Sequence, residues 1–195
     1  MELPRIVFAT RNPGKVREIA QLLAGHFEVV GLNEIGCRED IPETAPTIQG
    51  NAIQKAEYVK AHYGVECFAD DTGLEVDALG GAPGVDTAFY AGPAKDADAN
   101  MAKLLGALEG RSERGAQFRT VIALTSPAGT RTFEGICRGR IANNRSGAEG
   151  FGYDPVFEPE GVGRTFAEMD AASKNAISHR GKAVRAMVEE LRNRG

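Results

Sequence analysis

Short apolar runs closed by turn residues alternate along this chain with stretches in which apolar side chains return every three or four positions, which predicts an α/β protein. Residues 5–10 form a β-branched and aromatic run ended by Arg11-Asn12-Pro13-Gly14, a buried first strand and its turn. Val16, Ile19, Ala20 and Leu23 then mark a helix from about Pro13 to about Gly25. A second strand is predicted over 27–32, a surface loop over 33–50, and a helix from about Asn51 with Ala52, Ile53, Ala56, Val59 and Tyr63 on its apolar face. Residues 65–69 read as a buried strand running into Asp70-Asp71, and 73–79 as a separate neighbouring strand. Met101, Leu104, Leu105 and Leu108 define a third helix, 116–125 and 130–141 a hairpin turning around Ser126 to Gly129, and Ile177, Val184, Met187, Val188 and Leu191 the last helix. The Gly- and Pro-rich stretches 80–92 and 147–163 predict loops, and the whole predicts one curved mixed β-sheet flanked by helices.

Bulk properties narrow the function classes. At 195 residues the chain is long enough for a sizeable core in a single domain, and 42% hydrophobic with 26% charged residues is ordinary for a soluble globular protein. A formal net charge of -4 speaks against wrapping a nucleic-acid polymer, while leaving room for free nucleotides. No apolar stretch reaches the roughly 18 residues of a membrane span, and residues 1–5 lack a signal-peptide pattern, so a cytoplasmic location without membrane partners is expected. Cys37, Cys67 and Cys137 are scattered and predict free packing thiols.

Four constellations could carry chemistry. Thr10-Arg11-Asn12-Pro13-Gly14-Lys15 lies between strand and helix, where backbone N–H groups and the helix dipole suit an anion and Lys15 adds a cation; a plain tight turn with a solvated lysine is the other reading. It lacks the spacing of a P-loop. Asp70-Asp71-Thr72-Gly73 places two carboxylates side by side, a conflict that bound Mg²⁺ would relieve, unless the pair is a solvated turn. Phe151 and Tyr153, spaced by Gly150 and Gly152 before Asp154, offer faces for a purine or serve as loop anchors. Lys174, His179 and Arg180 gather basic character at the start of the last helix, where an anionic or carbonyl-bearing ligand would explain them. Together these suit a nucleotide phosphate ester.

At these residues the sequence resembles the inosine/xanthosine triphosphate pyrophosphatases, enzymes that remove non-canonical purine nucleotides (ITP, dITP, XTP) from the nucleotide pool. The resemblance runs nearly end to end, carried by residues 8–15, Glu43-Thr44, residues 51–56, residues 69–74, residues 80–85, residues 150–155 and residues 176–181. It implies a homodimer with an elongated α/β fold, two lobes around a nucleotide-binding cleft, and hydrolysis of the triphosphate to monophosphate and pyrophosphate. It further implies that Thr10, Arg11, Asn12, Pro13, Gly14 and Lys15 hold the phosphates, Glu43 and Asp71 bind Mg²⁺, Lys55 contacts the phosphate chain, and Asp71, beside Asp70, accepts the proton of the attacking water. Thr72, Phe151, Gly152, Tyr153, Asp154, Lys174, His179 and Arg180 would line the nucleotide, the last two reading the 6-oxo group of the base.

The chain departs from that family pattern at Gly50, where a Glu is common, at Asp86 and Phe89, and conservatively at Thr72, where Ser is usual. Two other functions share the same machinery: a pyrophosphatase for other modified nucleotides, and a nucleotide sensor that binds without hydrolysis. His179-Arg180 favours purines, and Asp70, Asp71, Lys15 and Lys55 favour catalysis over sensing.

Overall fold

The structure, a computed structural model, describes residues 3–193; Met1 and Glu2, part of the stretch read against a signal peptide, lie outside them. The elements in order are β1 (Arg5–Phe8), α1 (Pro13–Leu23), β2 (Glu28–Val30), α2 (Ile48–Tyr63), β3 (Cys67–Val76), β4 (Pro83–Gly84), α3 (Ala97–Ala107), β5 (Gly115–Ser126), β6 (Gly129–Ile141), β7 (Phe157–Pro159), α4 (Ala171–Ile177) and α5 (His179–Arg192). The strands form a mixed sheet in the hydrogen-bonded order β2-β1-β3-β5-β6-β7, with β4 paired to β3. β1 is parallel to β2 and β3, whereas β7 is antiparallel to β6. No helix among the described residues is long and apolar enough to cross a membrane.

The chain divides into two compact units. The first comprises residues 1–71, 120–135 and 180–195; the second comprises residues 72–119 and 136–179. In the first, strand parity decides what each side chain meets, because successive side chains of a strand point to opposite faces. Ile6, Phe8, Phe68, Ile122 and Leu124 pack with Ile19 and Leu23 of α1 and Val184 and Met187 of α5. Their neighbours Val7, Ala9, Cys67, Ala69, Val121 and Ala123 pack with Ala52, Ala56 and Val59 of α2. The second unit has its own core, in which Leu74, Val76, Leu104, Phe118, Phe157 and Phe166 meet.

Four sequence expectations change. β3 is one strand of ten residues, so Asp70-Asp71 lies inside it and does not end it; charged residues tolerate that position because each finds a cationic partner, as described below. α2 starts at Ile48, three residues earlier than its apolar stripe indicates, because the Thr47 side chain accepts a hydrogen bond from the Gly50 N–H and caps it. The last helical stretch is two helices, broken where Ser178 turns extended (φ -66°, ψ 156°). β4 and β7 lie inside the stretches 80–92 and 147–163 read as loops rich in Gly and Pro.

Candidate active site

In the first unit, the turn after β1 is shaped by its own side chains. Asn12 caps α1, its Oδ1 accepting from the N–H groups of Gly14 (2.9 Å) and Lys15 (3.1 Å), while its own N–H donates to Thr10 Oγ1 (3.2 Å). Pro13 occupies the first helical turn, where its missing N–H costs nothing. Two backbone donors expected to face an anion are therefore taken by Asn12. Arg11 is also differently placed than its reading as a phosphate ligand implies: its Nη2 donates to the carbonyls of Cys37 (2.8 Å) and Glu39 (3.0 Å).

The two adjacent aspartates separate by parity. Asp70 follows Phe68 to the α1/α5 face, where it is fully buried and accepts from Lys15 Nζ (3.0 Å) and Arg180 Nε (3.0 Å). Arg180, itself 2% exposed, also pairs with Glu18 through Nη1. Burial alone would raise the Asp70 carboxyl; Lys15, Arg180 and Lys55 outweigh it and hold the group well below the ordinary carboxylate range. Asp70 therefore stays ionised as the counter-charge of the buried Arg180 and the part-buried Lys15. The like-charge conflict assigned to Asp70 and Asp71 together is relieved on this side by Lys15 and Arg180, and the expected base-reading guanidinium of Arg180 is committed to carboxylates.

Asp71 follows Cys67 and Ala69 to the α2 face. Its Oδ2 accepts from Asn51 Nδ2 (3.2 Å), and its Oδ1 lies 3.9 Å from Lys55 Nζ, which donates to Glu43 Oε1 at 2.6 Å. Asn51 and Lys55 are one helical turn apart on α2 and both buried, so they present one amide and one ammonium to the same place. Burial lifts the Asp71 carboxyl, Lys55 and Lys15 oppose the rise, and Glu43 and Asp70 reinforce it; the net direction is upward. Burial works against the charge of Lys55, yet Asp71 and Glu43 hold it protonated. The Glu43 segment is pinned to α2 just after that contact: the Thr44 N–H donates to Gln54 Oε1 (2.8 Å) and the Ala45 N–H to Asn51 Oδ1 (2.9 Å). Sequence reasoning gave no role to Asn51, Gln54 or Glu18, although the spacings Asn51/Lys55 and Lys15/Glu18 each place two polar groups on one helix face.

The second unit carries the remaining expected residues. Thr72 is half-buried on β3. Asp154, 3% exposed, accepts from the Phe151 N–H (2.9 Å) and pairs with Lys174, 4% exposed. Gly150, at φ +75°, passes so close that a Cβ would stand 2.0 Å from Asp154 Oδ2. The Lys174 ammonium lies 5.2 Å from the Phe151 ring centre and 5.3 Å from that of Phe166. Phe151 and Gly152 are half-exposed, but Tyr153 is buried and its hydroxyl donates to the Thr87 carbonyl (2.8 Å). Tyr153 is thus a loop anchor and not a platform for a base. His179 is buried with its ring stacked on Phe118, 4.5 Å between centres.

The family model described as the Ham1 family matches residues 6–190. The chain is 58% identical over 183 residues to a protein of Porphyromonas gingivalis named dITP/XTP pyrophosphatase, covering 93% of this chain and 94% of that protein. It is 52% identical over 187 residues to one of the same name from Flavobacterium johnsoniae, covering 96% and 97%. Among solved structures it is similar to the Ham1 protein of Staphylococcus aureus, with a TM-score of 0.88 and 37% identity, covering 98% of this chain and all of that one.

Proposed function

As the chain belongs to the Ham1 family, we propose that it is a dITP/XTP pyrophosphatase, cleaving non-canonical purine nucleoside triphosphates to the monophosphate and pyrophosphate. The near-full-length identity to relatives of that name carries the reading. The chemistry is assigned to Asp71, Lys55 and Glu43. Water attacks the α-phosphorus, the bond from phosphorus to the α,β-bridging oxygen breaks, and pyrophosphate leaves with that bond's electron pair. Asp71 takes the water's proton, a task favoured by a carboxyl that burial holds above its ordinary range. Lys55 and Lys15 offset the negative charge that builds on phosphoryl oxygens. Thr10, Asn12 and the turn they shape hold the phosphate chain.

The donor set fits Mg²⁺. Glu43 and Asp71 direct carboxylate oxygens toward one ammonium, and Mg²⁺ takes one or two such hard ligands along with phosphate oxygens and water. Among the described residues no three His, Cys, Asp or Glu side chains gather into a ready-made cage. When bound, the ion supplies further charge neutralisation at the phosphates. Phe151 and Lys174 are assigned to the base, with Asp154 holding Lys174 and His179 stacked on Phe118. The same reading makes the protein a cytoplasmic homodimer.

The test is product identification. With Mg²⁺, dITP, ITP and XTP are expected to give monophosphate and pyrophosphate, while ATP turns over slowly. Orthophosphate with diphosphate would refute the bond assignment, binding without turnover would establish a sensor, and faster turnover of a modified pyrimidine would move the base specificity.

A further inference from the structure

Residues 37–45 run along α2 in the direction opposite to the helix. Glu39 meets its C-terminal half, Oε1 accepting from Tyr63 Oη (2.5 Å) and Tyr58 Oη (3.3 Å). Glu43 meets Lys55, Thr44 meets Gln54 and Ala45 meets Asn51, toward the N-terminal end. The segment is therefore a strap fastened to one helix at four successive levels. A fifth fastening comes from a different element. Arg11 reaches from the turn after β1 and donates to the carbonyls of Cys37 and Glu39, with Nη1 3.4 Å from Asn33 Oδ1. A guanidinium suits this task because its rigid plane aims the two N–H groups of Nη2 at two carbonyls while Nη1 faces Asn33, whereas an ammonium on a flexible stem is not held in that arrangement. Cys37, fully buried with its N–H bonded to the Leu32 carbonyl (3.0 Å), gives Arg11 a fixed anchor.

We infer that Arg11 is a positioning residue that holds the 37–45 strap, and through it the Glu43 carboxylate, in register with Asp71, and that it does not act as a phosphate ligand. The inference rests on the assignment of Glu43 to Mg²⁺ above. It ties the phosphate-side turn to the metal-side carboxylate through two carbonyl contacts.

Two substitutions separate the roles. Arg11→Ala removes the fork and the charge; Arg11→Lys removes the fork and keeps the charge. The reporters are the Thr44 and Ala45 amides, whose hydrogen bonds fasten the strap, followed by NMR hydrogen exchange in the free protein without nucleotide or metal. Losing charge-assisted bonds to two carbonyls is expected to speed exchange roughly tenfold in both variants. The Mg²⁺ concentration for half-maximal dITP hydrolysis is expected to rise several-fold, with KM for dITP at saturating Mg²⁺ changing less than about twofold. Tyr63→Phe, which loosens the strap without touching the turn, should shift exchange and Mg²⁺ dependence in the same direction. Unchanged Thr44 and Ala45 exchange in the Arg11 variants overturns the inference, and so does a raised KM in Arg11→Ala that Arg11→Lys restores, since that marks a charge contact to phosphate. Should the wild-type protein hydrolyse no triphosphate, the proposed function fails while the exchange measurement still decides the strap.

Discussion

Asp70 and Asp71 are chemically identical neighbours, and the structure predicts opposite outcomes when each becomes asparagine. Asp70→Asn removes the counter-charge of Lys15 and Arg180, both held within 3.0 Å of a carboxylate with no solvent exposure. An amide accepts from one of them at most while turning its NH₂ toward the other. Breaking a buried ion pair by removing one partner costs about 3 to 5 kcal/mol. At roughly 2–4 °C per kcal/mol for a chain of this size, the melting temperature should fall by roughly 6 to 20 °C. Asp71→Asn keeps an oxygen for Asn51 and relieves repulsion from Glu43 and Asp70, so its stability should stay within about 1 kcal/mol of wild type. Its turnover should fall by about 10² to 10⁴, the usual worth of a positioned general base. Thermal and urea unfolding of both variants, with dITP hydrolysis measured alongside, gives the comparison. The sign of the pH effect is fixed as well: a carboxyl depressed below its ordinary 3.8 stabilises the fold above that value, and the contribution is lost as pH falls below it. Acid unfolding of Asp70→Asn should therefore be less steep below about pH 4. A wild-type melting temperature for Asp70→Asn, or an equal loss of stability in Asp71→Asn, would refute the assignment of the two residues to opposite faces.

Restoring the family's glutamate by Gly50→Glu should destabilise, because a Cβ there would stand 2.7 Å from Ala45 Cβ and 2.9 Å from Thr47 Oγ1; losing the Thr47 cap alone costs about 1 kcal/mol, measurable by urea unfolding. Tyr63→Phe should let the Glu39 carboxyl, lowered to about 2 chiefly by the Tyr63 hydroxyl, rise toward its ordinary range, followed by NMR titration of its side-chain carbon. Gly150→Ala should cost about 1–3 kcal/mol, since φ +75° and the approach to Asp154 Oδ2 both reject a Cβ, and fluorescence binding of a purine nucleotide should weaken with it as the Asp154–Lys174 pair shifts.

The alternation of short apolar runs and helical stripes was enough to order most of the elements, since β1, α1, α3 and the β5/β6 hairpin follow from period and turn residues that act within a few positions. The motifs were legible for the same reason: Thr10 to Lys15, Glu43, Lys55 and Asp70-Asp71 keep their identities in any conformation. What the sequence could not express is the face each residue joins and the partner it meets tens of positions away, up to 162 between Glu18 and Arg180. Asp70-Asp71 reads as one acidic pair, and the period of a strand sends one to Lys15 and Arg180 and the other to Lys55 and Asn51. Arg180 reads as a basic group awaiting a ligand, and burial supplies Asp70 and Glu18 instead. Arg11 reads as part of a phosphate turn, and the packing of a distant segment gives it two carbonyls. Residue types thus fixed which chemistry was available, while the pairing of charges in a low-dielectric interior, where an unpartnered ion is too costly to keep, decided which residues remain to perform it.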